Sequence, residues 1–297
     1  MKPAFALLLL LVTLRPADGA GAAASTKPLT ATVSIPAASQ APAPPKAVVK
    51  SGDAVSLLPG ELFKFQVGWG LFSGAGEIKV TATSSSLAGQ LLTRVTTQTA
   101  TKGVIGALYS FTGEAVADFD SRDGRLLTAH ADTRAGKKPT QMAVTFDYAR
   151  SEAAYVDPLR PARTRMLSLP PGRPMDLITV LIQARAWNLK PGEKHAALVL
   201  FDDEFYPLTI TAQKVENIST PKGRRDAMML IPEMAGPPKG MFKKGGAVKV
   251  WISNDRDRLP LKFEVKVKVG TATATLVDYQ PPASVPAKPA DKSVTLK

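Results

Sequence analysis

Lys262-Phe263-Glu264-Val265-Lys266-Val267-Lys268-Val269 sets a charged side chain against an apolar one at every step. A period of two puts Phe263, Val265, Val267 and Val269 on one face and Lys262, Glu264, Lys266 and Lys268 on the other. One buried face and one wet face is the pattern of an antiparallel strand. The same rhythm runs through most of the chain. Phe63, Phe65, Val67 and Trp69 alternate with Lys64, Gln66 and Gly68, and the glycines from Gly70 to Gly76 make a turn before Glu77 to Thr81 returns. Further strands are predicted at Leu91 to Gln98, Tyr109 to Phe119 and, after the Asp123-Gly124 turn, Leu126 to Asp132. Others follow at Gln141 to Tyr148, Ala196 to Phe201, Tyr206 to Lys214, Arg225 to Pro232, Val248 to Ser253 and Thr271 to Val277.

One segment breaks the rhythm. Between Met175 and Trp187, Leu177, Ile178, Leu181 and Ile182 follow the i, i+1, i+4, i+5 spacing of a helical face. Asp176 sits where it favours the positive end of the helix dipole, and Lys190-Pro191-Gly192 stops the element. The expectation is an all-β, mainly antiparallel fold: a strongly curved sheet or partly open β-barrel, with one packed α-helix at about 175–187 that plugs or flanks its concave side. A parallel βαβ fold is excluded, because strands and helices do not alternate.

The ends of the chain have a different composition. Lys2, the apolar run Phe5 to Leu14 and the small residues Ala17 to Ala22 read as a signal peptide over 1–20, cleaved after about 19–22. The apolar run is too short to cross a bilayer, and no second one follows, so no transmembrane segment is expected. Residues 21–56 form an Ala/Pro-rich spacer and 280–297 a Pro/Lys-rich tail, leaving 57–279 as a single β-rich domain. With no cysteine the chain has neither a disulfide framework nor a lipid-anchored thiol. These features place the product in the periplasm or outside the cell. The net charge is +13. Outside the cytoplasm this favours anionic envelope lipid, lipopolysaccharide, wall polymer or another envelope protein as partner. No motif for nucleic acid accompanies it.

No cofactor, catalytic or metal-binding constellation emerges. The two histidines, His130 and His195, read as surface or strand-edge residues, and no serine sits in a nucleophile elbow. Asp118, Asp120 and Asp123 precede Gly124 with spacing wrong for a calcium loop and read as a hairpin turn. Asp202-Asp203-Glu204 reads as a solvated turn. The remaining candidates are surfaces. Trp69, Trp187 and Trp251 either line an apolar pocket within the curved sheet or fill its core. Lys262, Lys266 and Lys268, with Lys249 nearby, form an anion-facing patch or simply guard strands against aggregation. Lys239, Lys243 and Lys244 lie in a glycine- and proline-rich loop.

Several segments resemble a bacterial exported family known as domain of unknown function 3108. They are Gly60-Glu61-Leu62-Phe63-Lys64-Phe65-Gln66-Val67-Gly68-Trp69-Gly70, Leu169-Pro170-Pro171-Gly172, Leu189-Lys190-Pro191-Gly192-Glu193 and Gly246-Ala247-Val248-Lys249-Val250-Trp251-Ile252-Ser253-Asn254-Asp255. Thr220-Pro221-Lys222-Gly223 is similar to the family's Thr-Pro-Ala-Gly turn, with Lys222 in place of the small residue. The resemblance implies a periplasmic all-β domain with no assigned catalytic residues, similar in outline to the lipoprotein carriers of the Lol system. The expected function is a non-enzymatic envelope protein that binds or supports an envelope component. The alternatives are a carrier of lipid or lipoprotein in the concave face and, third, a wall or glycan hydrolase.

Overall fold

The computed structural model describes residues 55–234, 247–267 and 270–282. The expected leader, most of the spacer, most of the tail, and Lys239, Lys243, Lys244 and Lys268 lie outside these residues. The described residues form a 15-stranded sheet. Its first half contains β1 (Leu62–Trp69), β2 (Phe72–Leu87), β3 (Gln90–Thr101), β4 (Phe111–Asp120), β5 (Leu126–Ala135), β6 (Lys138–Asp147), β7 (Glu152–Val156) and β8 (Arg165–Ser168). Its second half contains β9 (Pro174–Met175), β10 (Lys194–Phe201), β11 (Glu204–Thr220), β12 (Gly223–Met234), β13 (Ala247–Ser253), β14 (Pro260–Val267) and β15 (Gly270–Gln280). The expected mainly antiparallel, curved and unclosed sheet is what forms.

Strand order decides the shape. The chain walks outward from β1 to β8, and then reappears at the opposite edge as β9, returning strand by strand to β15, which pairs with β1. Neighbours are antiparallel, except that β9 runs parallel to β10. A flat sheet of this order would hold its two edges about 65 Å apart. Yet only residues 169–173 join β8 to β9, and that length of chain reaches about 20 Å at most. The sheet therefore has to curl until its edges approach. It does not close, because β8 and β9 are not paired. Pro170 and Pro171 in this connection, and Pro174 at the start of β9, have no N–H to donate to a ladder. Both edges are short strands, which limits further edge-to-edge pairing.

The concave side is filled from within. After the short helix α1 (Gly103–Leu108) between β3 and β4, helix α2 (Leu177–Gln183) continues as a 3-10 turn over Ala184–Trp187. The expected helix at about 175–187 is thus two short elements preceded by β9. Asp176 caps it by accepting from the Thr179 N–H. Every residue of α2 is buried, including Thr179 and Gln183, so the apolar face read from the sequence is wrapped on all sides. One core joins it to Phe63, Phe65, Ile78, Phe119, Val144, Tyr155, Ile210, Val250 and Phe263. The helix is held at its far end by charge. Arg185 donates to the buried Glu61 carboxylate at 2.7 Å, which also accepts from the Leu58 N–H and the Tyr279 hydroxyl. Arg258 donates to the Arg185 carbonyl and to Asn188, satisfying the helix C-terminus.

The strand pattern left residues 103–108 unassigned. They form α1 (Gly103–Leu108), which closes the end of the sheet between β3 and β4. It displaces the start of β4 from the expected Tyr109 to Phe111.

Replacing Ile182, which is fully buried in α2, by alanine is expected to lower the unfolding free energy by about 2–5 kcal/mol. The check is a lower urea midpoint with an unchanged m-value. A midpoint equal to wild type would contradict the enclosure of α2.

Candidate functional site

Where the edges of the sheet approach, side chains supply the closure that backbone pairing does not. Asp202 follows β10 with φ of 57°, a conformation that aspartate tolerates. Its carboxylate accepts from the Tyr155 hydroxyl of β7 at 2.8 Å and from Arg163 at 2.6 Å. Arg163 also reaches Asp157 and Asp203, and Arg165 of β8 bonds Asp203 at 2.8 Å. Asp157 in turn accepts from Arg160 at 2.8 Å. Asp157 is 0% exposed and Asp202 4%. The expected solvated turn at Asp202-Asp203-Glu204 is therefore corrected. The backbone turn is there, but tertiary packing buries its first acid and uses it as a clasp. Burial, reinforced by the hydrogen bond to Asp202, pushes the Tyr155 hydroxyl well above its ordinary range, so it remains a donor.

The β4–β5 connection is a hairpin turn, as its sequence predicts, with Gly124 at a φ of 70°. Each acid in or leading into it holds its own arginine. Arg94 grips Asp118 with two bonds of 2.7 and 2.9 Å, Arg122 bonds Asp120, and Arg125 bonds Asp123 at 2.7 Å. Burial alone raises the Asp118 and Asp120 carboxyls, but the guanidinium partners outweigh it and hold both below the usual range.

Between α2 and strands β3 to β6 lies a cavity of about 20 Å³, lined by Val95, Ala117, Met142, Asp176, Leu177 and Phe201 among others. That is room for about one water molecule, not for an acyl chain. Desolvation raises the Asp176 carboxyl there against the hydrogen bonds from Thr179. On the outer face, His130 lies in an open groove of about 250 Å³ with Glu114, Asp132, Gln141 and Pro158.

The three tryptophans take separate positions, and none lines these two cavities. Trp69 is half-buried at the sheet end and packs with Ala75, Phe111, Ile105 and Tyr109. Trp187, at the end of the 3-10 turn, stacks on His195 with ring centroids 4.0 Å apart. Trp251 is buried, with Lys262 4.6 Å above its ring and its indole N–H donating to Glu216 at 2.6 Å. It therefore shares the face of the lysines. On that face Lys249 and Lys262 both approach Glu264, at 3.9 and 3.4 Å, while Lys266 is exposed opposite Ala247. That Lys262 and Lys266 share an outer face was readable from period two, and the pairing of β13 with β14 brings Lys249 beside them. The convergence of Tyr155, Arg163 and Asp202 was not, because no local pattern relates residues that far apart.

These features define a curled antiparallel sheet protein with a helix enclosed in its curve. Residues 64–277 match the family described as Protein of unknown function (DUF3108), and the chain belongs to that family. No curated protein matches it. Among solved structures it is similar to a beta-barrel-like protein of domain of unknown function DUF1849 from Brucella abortus. The identity is 10% and the TM-score 0.48, covering 75% of this chain and 98% of that one. A second structure, described as that of an exported protein with YmcC-like fold from Bacteroides fragilis, gives 10% identity and a TM-score of 0.28. It covers 77% of this chain and 99% of that one.

Two outcomes follow from the ion pairs and the stacked histidine. Arg163→Ala leaves Asp157 and Asp202 buried without their shared cation and is expected to cost about 3 kcal/mol. Arg150→Ala, at an exposed pair with Glu152, is expected to cost under about 0.5 kcal/mol. Equal urea midpoints for the two variants would remove the clasp from the stability of the fold. Burial lowers the His195 imidazole below its ordinary value of 6.5. Its contribution to stability is therefore present above that value and lost as pH falls through the lowered one. Stability of wild type is expected to decline from about pH 6.5 downward, and His195→Gln to flatten the first part of that decline. Superimposable pH profiles would exclude His195 as the source.

Proposed function

We propose that the protein is a non-enzymatic component of the bacterial envelope, exported to the periplasm or beyond, that binds and supports another envelope component through its outer surface. The observation that carries this reading is the enclosure of α2. The concave face, which in a curved sheet would be the natural pocket, is occupied by the chain's own helix. A carrier holding an acyl chain would need several hundred Å³ there. The acids that a hydrolase would use are engaged as well: Asp118, Asp120, Asp157 and Asp202 each bind an arginine. What remains for a partner is the exterior of a strongly basic chain, including the face that carries Lys249, Lys262 and Lys266, with Lys268 following in sequence.

Native mass spectrometry of the protein, purified gently from the envelope fraction of its own host, is expected to show a retained lipid, glycan or protein. Recovery of the full-length product from the cytoplasm, or turnover of wall glycan by the purified protein, would overturn the reading.

A further inference from the structure

The β1–β2 hairpin end of the sheet carries a concentration of exposed apolar side chains. Leu71, in the turn, is 101% exposed, and Phe72 beside it is half exposed. On α1, Ile105 and Tyr109 pack toward Trp69, Ala75 and Phe111, while Val104 and Leu108, one helical turn apart, are 62% and 79% exposed. The two elements adjoin. The Lys102 N–H donates to the Ala75 carbonyl at 2.9 Å, and a Cβ placed on Gly103 would lie 3.3 Å from the Gly74 carbonyl oxygen. A protruding apolar group of this kind normally marks an interaction site rather than an ordinary monomer surface.

Its surroundings are cationic. Lys64 and Lys102 share the single carboxylate of Glu77. Lys137 in the β5–β6 turn and Lys138 at the start of β6 are exposed, and the turn is tied to the end of α1 by the Gly136 N–H donating to the Ser110 carbonyl at 2.8 Å. Farther along β5, Arg134 and Asp132 are both exposed, and Asp132 accepts from Gln141. We propose that this end of the sheet docks on an anionic lipid bilayer. Leu71, Phe72, Val104 and Leu108 enter the boundary between headgroups and acyl chains, and Lys102, Lys137 and Lys138 face the headgroup phosphates. A convex tip with a fully exposed leucine suits a deformable apolar medium, whereas a protein partner would need a matching pocket. The ring of lysines gives the charge complementarity. The inference rests on the reading of the protein as an envelope component and specifies the surface it meets.

The test is sedimentation of the full chain with vesicles of phosphatidylcholine, with or without phosphatidylglycerol, at low and high salt. Wild type is expected to bind the anionic vesicles, and more weakly at high salt. Leu71→Ser with Leu108→Ser is expected to weaken that binding about tenfold or more, with an unchanged melting temperature, since both side chains already face solvent. Lys137→Gln with Lys138→Gln is expected to weaken it and flatten the salt dependence. Undiminished binding by the leucine variant would overturn the proposal. So would a change of that variant from dimer to monomer in sedimentation equilibrium, which would make the tip a self-association face. If wild type binds no vesicle yet retains a glycan or protein in native mass spectrometry, lipid docking fails while the broader envelope reading stands.

Discussion

The short connection from β8 to β9 is the constraint on which the rest of the structure depends. Residues 169–173 have to carry the chain from one edge of a wide sheet to the other. Chain reach is bounded by covalent geometry, so the sheet bends to meet it. Once bent, its two edges face each other with too few donors for a ladder, partly because two prolines occupy the crossing and a third opens β9. The charged clasp of Tyr155, Arg163, Arg165, Asp202 and Asp203 takes the place of those hydrogen bonds.

Bending also creates an interior, and the same crossing delivers the material that fills it. The chain leaves β9 and immediately forms α2 inside the curve. Enclosure on every side explains why Thr179 and Gln183, polar residues on an otherwise apolar helix, are buried: each has a partner, Asp176 for one and Ser56 for the other. The Glu61–Arg185 pair then joins the helix to the beginning of β1 and, through Tyr279, to the end of β15. A sheet plugged in this way leaves its outer faces and its exposed apolar end as the surfaces open to a partner.

Local rules read much of this correctly, and their failures have identifiable causes. Phe63, Phe65 and Val67 point inward as their alternation predicts. The turn at Asp123-Gly124 forms because glycine accepts positive φ. The helix starts after Asp176 because a carboxylate caps it. Asp202-Asp203, by contrast, reads as solvated because three adjacent acidic residues ordinarily are; only the approach of Arg163 from another turn buries the first of them. Gly103–Leu108 escaped notice because so short a helix leaves no periodicity to detect. Trp251 is buried among the core residues, as its type suggests, but its strand register sets it beside Lys262 and its indole N–H donates to Glu216, which residue type does not show.

The sequence by itself determined most of the strands, their inward and outward faces, the helix and its cap, because these depend on side-chain alternation and on hydrogen bonds between near neighbours; the short strands β7, β8 and β9 carry too few residues to show a period. The tertiary structure alone decided which edges approach, which acids become buried and whether the concave face is open or full. Those outcomes depend on pairings across many tens of residues, such as Tyr155 with Asp202 and Glu61 with Arg185. Their energies are set by burial, where a low dielectric strengthens the attraction against the cost of desolvation, and that interior exists only once the sheet has curled.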